Sequence, residues 1–167
     1  MKNLILVSIA GLFIACGNPD SGYLKIVGDT VEIPAFEIAL KLSDKAEEKL
    51  KTDNETVIVM AYFTGIAKAE HLPDKYKDRA GFGGELHLLS YPIELSDQRL
   101  ARFENIKFSK ELYDLLDNKD IQLLINVYSG RKSSMDNLLD CDILQDFMSE
   151  IKDKRFTLNG KLIYGDD

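Results

Sequence analysis

The residues best suited to hold a ligand lie in one short polar segment, residues 128–134, which reads Tyr-Ser-Gly-Arg-Lys-Ser-Ser. Two cations, three hydroxyl groups and an aromatic ring beside a glycine can hold a carboxylate or a phosphate. The predicted anion site consists of Tyr128, Arg131, Lys132, Ser133 and Ser134. Arg131 is its main anchor, because a guanidinium donates two parallel hydrogen bonds. A solvated connector is the plainer interpretation of the same segment.

A second polar segment, residues 136–142, reads Asp-Asn-Leu-Leu-Asp-Cys-Asp. Its oxygen atoms suit Ca²⁺, but the spacing is not that of an EF-hand loop and the required glycine is missing. The plainer interpretation is a connector in which Asp140 or Asp142 caps the following helix. The sequence predicts no bound metal and no other cofactor.

Catalytic patterns are scarce. His71 and His87 are the two histidines, sixteen residues apart, one in a polar loop and one inside a predicted strand. A shared metal site is therefore not expected. The sequence contains neither a phosphate-binding glycine loop followed by lysine nor a Gly-x-Ser-x-Gly nucleophile elbow. It also lacks tryptophan, the platform common where sugars bind. We expect a protein that is not an enzyme, although a pocket built from distant residues would escape such a search.

The amino terminus carries the clearest pattern of the chain. Lys2 is followed by an apolar run, residues 4–14, and then by Ala15 and Cys16. Eleven helical residues span roughly 16 Å, about half the hydrocarbon core of a bilayer. The run is therefore too short for a lasting transmembrane helix and has the length of a signal-peptide core.

Residues 12–16, Leu-Phe-Ile-Ala-Cys, resemble the lipobox of bacterial lipoproteins. The resemblance implies that Cys16 receives a diacylglyceryl group and that a signal peptidase then cuts before it. Phe13 departs from the commonest pattern, which has leucine there, and Ile14 is larger than usual at its position. The alternative is an ordinary secretory peptide cut elsewhere. The resemblance also implies a lipid-anchored protein of the bacterial cell envelope, by default in the outer membrane, on its periplasmic or surface face.

The lipobox-like segment divides the chain into three predicted parts. Residues 1–15 are the predicted signal peptide, residues 16–22 a lipidated flexible tether rich in turn-forming residues, and residues 23–167 one β-rich domain. With Cys16 acylated, Cys141 is the one free thiol, and a lone thiol in an exported protein is expected to be buried. Its two Asp neighbours raise its pKa and so make it unreactive. The formal net charge is −7, with 21 basic and 28 acidic residues and no basic block. Nucleic acid is therefore excluded as a partner.

The elements that would position these residues are mostly strands. Alternating or β-branched runs predict strands at residues 24–27, 31–33, 36–42, 85–91, 100–104, 106–108 and 121–129, with a central strand, apolar on both faces, at residues 56–64. Pro92 is predicted to end the strand before it. Short helices are predicted at residues 44–50, capped by Ser43 or Asp44, at residues 110–116, capped by Ser109, and at residues 142–152. Residues 65–84 read as a long polar loop. Residues 155–164 are predicted to form a strand or a hairpin, because Asn159-Gly160 is a strong hairpin-turn pattern.

The predicted fold is mainly β, an antiparallel β-sandwich of about seven strands with two or three short helices. A short helix between two strands, residues 42–50, gives the layout a faint resemblance to transthyretin-like sandwiches. Three functional hypotheses follow. The first is a non-catalytic, lipid-anchored binding or adaptor domain that contacts another envelope protein. The second is an immunity or inhibitor protein whose negative surface attracts a basic toxin or lytic enzyme. The third is an enzyme with an unrecognised pocket.

Overall fold

The structure, a computed structural model, describes residues 23–68 and 72–165. The predicted signal peptide, Cys16, the tether and His71 lie outside these residues. In the described part, the strands are β1 (Lys25–Val27), β2 (Thr30–Glu32), β3 (Phe36–Leu42), β4 (Val57–Ile66), β5 (Glu85–Leu95), β6 (Leu100–Phe103), β7 (Lys107–Ser109), β8 (Gln122–Ser129), β9 (Leu139–Cys141), β10 (Leu144–Phe147) and β11 (Arg155–Leu162). The helices are α1 (Asp44–Thr52), α2 (Lys110–Asp114) and α3 (Met148–Ile151), with 3₁₀ turns at Asp74–Arg79 and Phe82–Gly84.

The strands form a β-sandwich, which confirms the predicted fold class. One sheet has the order β10-β8-β4-β5 and is antiparallel throughout. The other has the order β6-β3-β11-β9, in which β3 and β11 run parallel. A third, three-stranded sheet, β1-β2-β7, lies beside them. Because β3 and β11 are far apart in sequence, their parallel pairing was not visible in the local pattern.

The core lies between the two four-stranded sheets. Phe36, Ile38 and Leu40 of β3 are buried, and so is every second residue of β4, as a strand with one face on the core requires. Phe36 of β3 stacks on Phe103 of β6, with ring centroids 4.6 Å apart. It also meets the edge of Phe63 in β4, at 6.4 Å. These rings join the two sheets across the sandwich.

The predicted caps of α1 and α2 are confirmed. The Ser43 hydroxyl accepts a hydrogen bond from the Ala46 amide, and the Ser109 hydroxyl accepts one from the Glu111 amide. Each serine satisfies an amide that the first helical turn leaves without a partner. No helix in the described part of the chain is long and apolar enough to span a bilayer.

The sequence predicts that Pro92 ends its strand, and this prediction is wrong. Strand β5 continues through Pro92 to Leu95, and Pro92 faces Met60 of β4. β5 is the last strand of its sheet, so only one of its edges has a partner. A proline is tolerated at such an edge because its missing N–H is not required there.

The helix predicted at residues 142–152 is wrong over its first half. Leu144–Phe147 is strand β10, which pairs with β8, and only Met148–Ile151 is helical. Ile143 is 65% exposed, so the predicted helical stripe is not buried as one face. Strand β9 was not predicted either.

Of the two predictions for residues 155–164, the strand is confirmed as β11 and the hairpin turn at Asn159-Gly160 is wrong. Both residues lie inside β11, which pairs with β3 on one side and β9 on the other. A Cβ atom on Gly160 would stand 2.5 Å from the Cys141 sulfur and 2.7 Å from the Leu42 Cδ2 atom. The glycine is therefore needed for close packing between strands.

Strand β4 is central in its sheet, as predicted, but only one of its faces is fully buried. The side chains of Ile58, Met60 and Tyr62 point to the opposite face and are half-buried. The prediction that both faces are buried is therefore corrected.

Candidate functional site

The predicted anion-binding loop holds a carboxylate, and that carboxylate belongs to the protein itself. Residues 130–134 follow the end of β8 and fold over Glu55, in the connector between α1 and β4. Glu55 is 4% exposed. Its oxygens accept hydrogen bonds from the backbone N–H of Lys132 at 2.9 and 3.1 Å and from the N–H and hydroxyl of Ser133, each at 2.8 Å. The Thr56 N–H donates a further bond at 2.9 Å.

These bonds determine the charge of Glu55. Burial by itself raises the pKa of the carboxyl, because it disfavours the charged form. The donors of Ser133, Thr56 and Lys132 outweigh burial and lower the pKa to about 2. Glu55 is therefore an ionised, fully bonded carboxylate at neutral pH, which makes it a poor proton acceptor for catalysis.

A second carboxylate extends the cluster toward solvent. The Thr56 hydroxyl donates to Glu94 of β5 at 2.7 Å, and the Lys132 ammonium pairs with the same carboxyl at 2.7 Å. These two bonds hold the pKa of Glu94 below its usual value. Lys132 thus binds Glu55 through its backbone and Glu94 through its side chain. We call Glu55, Thr56, Glu94, Lys132 and Ser133 the Glu55 clasp.

Gly130 permits the close approach on which the Glu55 clasp depends. Its N–H donates to the Thr56 carbonyl at 2.7 Å. A Cβ atom at this position would stand 2.0 Å from the Thr56 hydroxyl oxygen and 3.2 Å from a Glu55 oxygen. Any side chain at residue 130 would therefore displace the residues that hold Glu55.

Of the other predicted site residues, Tyr128 lies in β8, and Arg131 and Ser134 lie in the loop that follows it. Arg131 has a φ of +59° and its guanidinium lies 5.8 Å from the centre of the Tyr128 ring, in a cation–π arrangement. The Ser134 hydroxyl accepts a bond from the Asp136 amide. The structure therefore brings Lys132 and Ser133 together on Glu55 and leaves Arg131 on the surface.

A groove opens beside the Glu55 clasp, between α1 and the loop that joins β5 to β6. Its volume is about 810 Å³. Its walls carry the charged side chains of Glu48, Lys51, Asp97 and Lys132 and the amide of Asn54. The groove is mostly polar, of both charge signs, and suits a polar segment bound through hydrogen bonds and ion pairs.

One wall of the groove is fixed by Arg99. Its guanidinium donates to both oxygens of Glu47 in α1, at 2.9 and 2.7 Å. It also donates to the carbonyl oxygens of Ser96 and Gln98. A two-bond arginine–carboxylate pair holds its partners in one orientation. Arg99 therefore ties the β5–β6 loop to α1.

The acidic segment at residues 136–142 forms internal bonds. The Asn137 side-chain oxygen accepts from the amides of Ser129 and Leu139 and closes the loop between β8 and β9. Asp142 accepts from the backbone and side-chain N–H groups of Asn159 instead of capping a helix. Among the described residues, no three His, Cys, Asp or Glu side chains are grouped closely enough to hold a metal ion.

His87 and Cys141 lie away from this groove. His87 is half-buried in β5, 3.2 Å from the Ser90 hydroxyl, and burial and the charge of Arg79 lower its pKa. It lines a small hollow of about 240 Å³ on the outer face of β4, β5 and β8. Cys141 is half-buried in β9, and burial together with Asp140 and Asp142 raises its pKa to about 11.

Comparison with protein families, with curated proteins and with solved structures finds no match to this chain.

Sequence reasoning missed Glu55, Glu94, Glu47 and Arg99. Its one usable signal was the position of Glu55, a charged residue directly before a buried strand. Glu55 is separated along the chain by 77 positions from Lys132 and by 78 positions from Ser133, so no local pattern could reveal that they are bonded.

Proposed function

We propose that this protein is a lipid-anchored binding or adaptor domain of a bacterial envelope, without catalytic activity, and that its partner is another envelope protein. The lipobox-like residues 12–16 support the anchor. The polar groove beside the Glu55 clasp supports the binding role, because its walls carry donors and acceptors while its most buried acid is already fully bonded.

One observation carries the proposal: the chain enters the domain at the end opposite to the groove. The Tyr23 hydroxyl donates to Asp120 at 2.5 Å and accepts from the Ile121 amide at 3.1 Å, just before β8 begins. The loop that holds Glu55 follows the other end of β8, at Ser129. An eight-residue strand is about 27 Å long. An anchor on Cys16 would therefore leave the groove facing away from the lipid.

The anchor is tested by the intact mass and the membrane fractionation of the native protein beside two cysteine variants. We expect a mature mass that begins at an acylated Cys16, and loss of membrane association in Cys16→Ala. Cys141→Ala is the matched control and should fractionate like the native protein. A soluble, unacylated native protein would contradict the anchor.

The groove is tested by placing a photo-crosslinking amino acid at Lys51, an exposed residue of its wall, in cells that carry the native anchor. We expect one discrete adduct with an envelope protein, and its loss when Asp97→Lys alters the charge of the opposite wall. The same crosslinker at Lys161, exposed on β11, is the control and should give no such adduct. Equal adducts from both positions, or none from Lys51, would contradict the proposal.

A further inference from the structure

Three exposed apolar side chains lie at the end of the sandwich where the chain enters. Phe82 is fully exposed, Ile66 is 39% exposed and Phe147 is 37% exposed. Ile66 is the last residue of β4, and Phe147 is the last residue of β10. Phe147 pairs with Gln122, the first residue of β8, which directly follows the Ile121 amide that binds Tyr23. We call Ile66, Phe82 and Phe147 the apolar rim.

Phe82 is held outward by an ordered loop. The Gly81 N–H donates to the Glu85 carbonyl at 2.7 Å, and the Ala67 N–H donates to the Gly84 carbonyl at 2.9 Å. Gly83 and Gly84 have φ angles of +70° and +85°, which turn the chain sharply just after Phe82. The loop is thus closed at its base and attached to the end of β4, with the aromatic ring at its tip.

Burial in the fold does not explain this ring. Phenylalanine is among the residues most often buried, and a fully exposed ring on an ordered turn places apolar surface in water. Ile66 and Phe147 expose further apolar surface at the same end of the sandwich as Phe82, and apolar groups exposed side by side mark a contact with another surface.

The length of the preceding chain indicates which surface that is. Seven residue steps separate Cys16 from Tyr23, and a fully extended chain covers at most roughly 25 Å in that number of steps. An acyl anchor on Cys16 therefore keeps Tyr23 within this distance of the lipid, and the apolar rim lies at the same end of the sandwich as the Tyr23 hydroxyl. A short tether gives a second contact a high effective concentration, so even a weak contact is populated.

Two lysines in the turn that precedes Phe82 are engaged within the protein. Lys75 pairs with Glu111, and Lys77 pairs with Asp74. The rim therefore suits the acyl region just below the headgroups, where aromatic rings are favoured, more than anionic headgroups.

We infer that the apolar rim, led by Phe82, rests in the interface of the bilayer to which Cys16 is anchored, as a second membrane contact that orients the groove away from the membrane. This inference rests on the lipid anchor of the proposed function.

The absence of tryptophan from the sequence makes a direct test possible. In Phe82→Trp the new indole is the sole tryptophan, and the acylated protein is reconstituted into phosphatidylcholine vesicles. We expect a blue-shifted emission relative to the same protein after unfolding, and strong quenching by lipids brominated on their acyl chains. Vesicles that also contain phosphatidylglycerol should give the same result, because the contact is apolar.

Met135→Trp is the matched control. Met135 is 87% exposed and lies in the loop between β8 and β9, at the opposite end of the sandwich. Its emission should remain that of an indole in water, without quenching by brominated lipids. The intact mass of each sample establishes that Cys16 is acylated.

Each outcome decides a separate point. If the indole of acylated Phe82→Trp emits like that of Met135→Trp and escapes quenching, the membrane contact is overturned and the anchor stays intact. A blue shift that grows with protein density and ignores brominated lipid would assign the rim to contacts between copies of the chain and also overturn the inference. A native protein without acyl chains would remove the anchor, and the inference with it.

Discussion

At the scale of single residues, the Glu55 side chain stabilises the end of the molecule that carries the groove. It is almost fully buried, and its oxygens accept bonds from Lys132, Ser133 and Thr56. Removing the charge would leave these buried donors facing an amide that cannot satisfy them all. A buried donor without a partner destabilises the folded state by more free energy than an average hydrogen bond contributes to its stability.

We expect Glu55→Gln to lower the free energy of unfolding by about 2 kcal/mol. The measurement is urea unfolding at neutral pH, followed by circular dichroism. Glu48→Gln is the control, because Glu48 is an exposed acid that lines the same groove. If both substitutions change the free energy of unfolding equally, the hydrogen bonds to Glu55 do not stabilise the fold more than an exposed acid does.

The same carboxylate predicts how stability depends on pH. The folded pKa of Glu55 is lowered from 4.5 to about 2, so the unfolded chain takes up this proton at a higher pH than the folded chain does. Its contribution is therefore complete above pH 4.5 and declines as the pH falls toward about 2. The stability difference between the native protein and Glu55→Gln should shrink over that window. A difference that stays constant there would contradict the lowered pKa.

At the scale of elements, packing between strands determines the structure of β11, although its sequence contains a local turn pattern. Asn-Gly is a strong hairpin pattern, yet here both residues continue a strand between β3 and β9. The reason lies in the neighbours: Leu42 and Cys141 crowd the space that a side chain at residue 160 would need. The same principle explains β5, which continues past Pro92 because its outer edge requires no donor.

Gly160→Ala tests this interpretation. A methyl group in that space must push aside the Cys141 sulfur or Leu42, and we expect a loss of about 2 kcal/mol in the free energy of unfolding. Thermal and urea unfolding measure the loss. Gly81→Ala is the control, because its nearest atom would be 3.5 Å from the new methyl group. A neutral effect of Gly160→Ala would mean that β11 is not packed as described.

At the scale of the whole molecule, the two four-stranded sheets share one core. Phe63 is fully buried in β4, and Phe36 and Phe103 reach it from the facing sheet. Neither sheet can bury its inner face without the other, so the sandwich should unfold as a unit. Under the proposed function, such a unit holds the groove at the end opposite to the anchor.

Phe63→Ala should lower the free energy of unfolding by about 4 kcal/mol, because it leaves a cavity between the sheets. Phe82→Ala makes the same chemical change on a fully exposed ring and should have almost no effect. Both are measured by calorimetry, in which a single cooperative transition is expected for each variant. Two separate transitions in Phe63→Ala would show that the sheets do not share their core.

The sequence by itself determined the mainly β fold, the caps of α1 and α2 and the boundaries of β3, because those features depend on neighbours a few residues apart. It also singled out residues 128–134 as a loop able to hold an anion. Only the tertiary structure decided that the anion is Glu55, that β11 runs parallel to β3, and that Phe82 stands exposed at the end where the chain enters. Each of these depends on residues brought together from distant parts of the chain, and periodicity within a short window carries no information about such contacts.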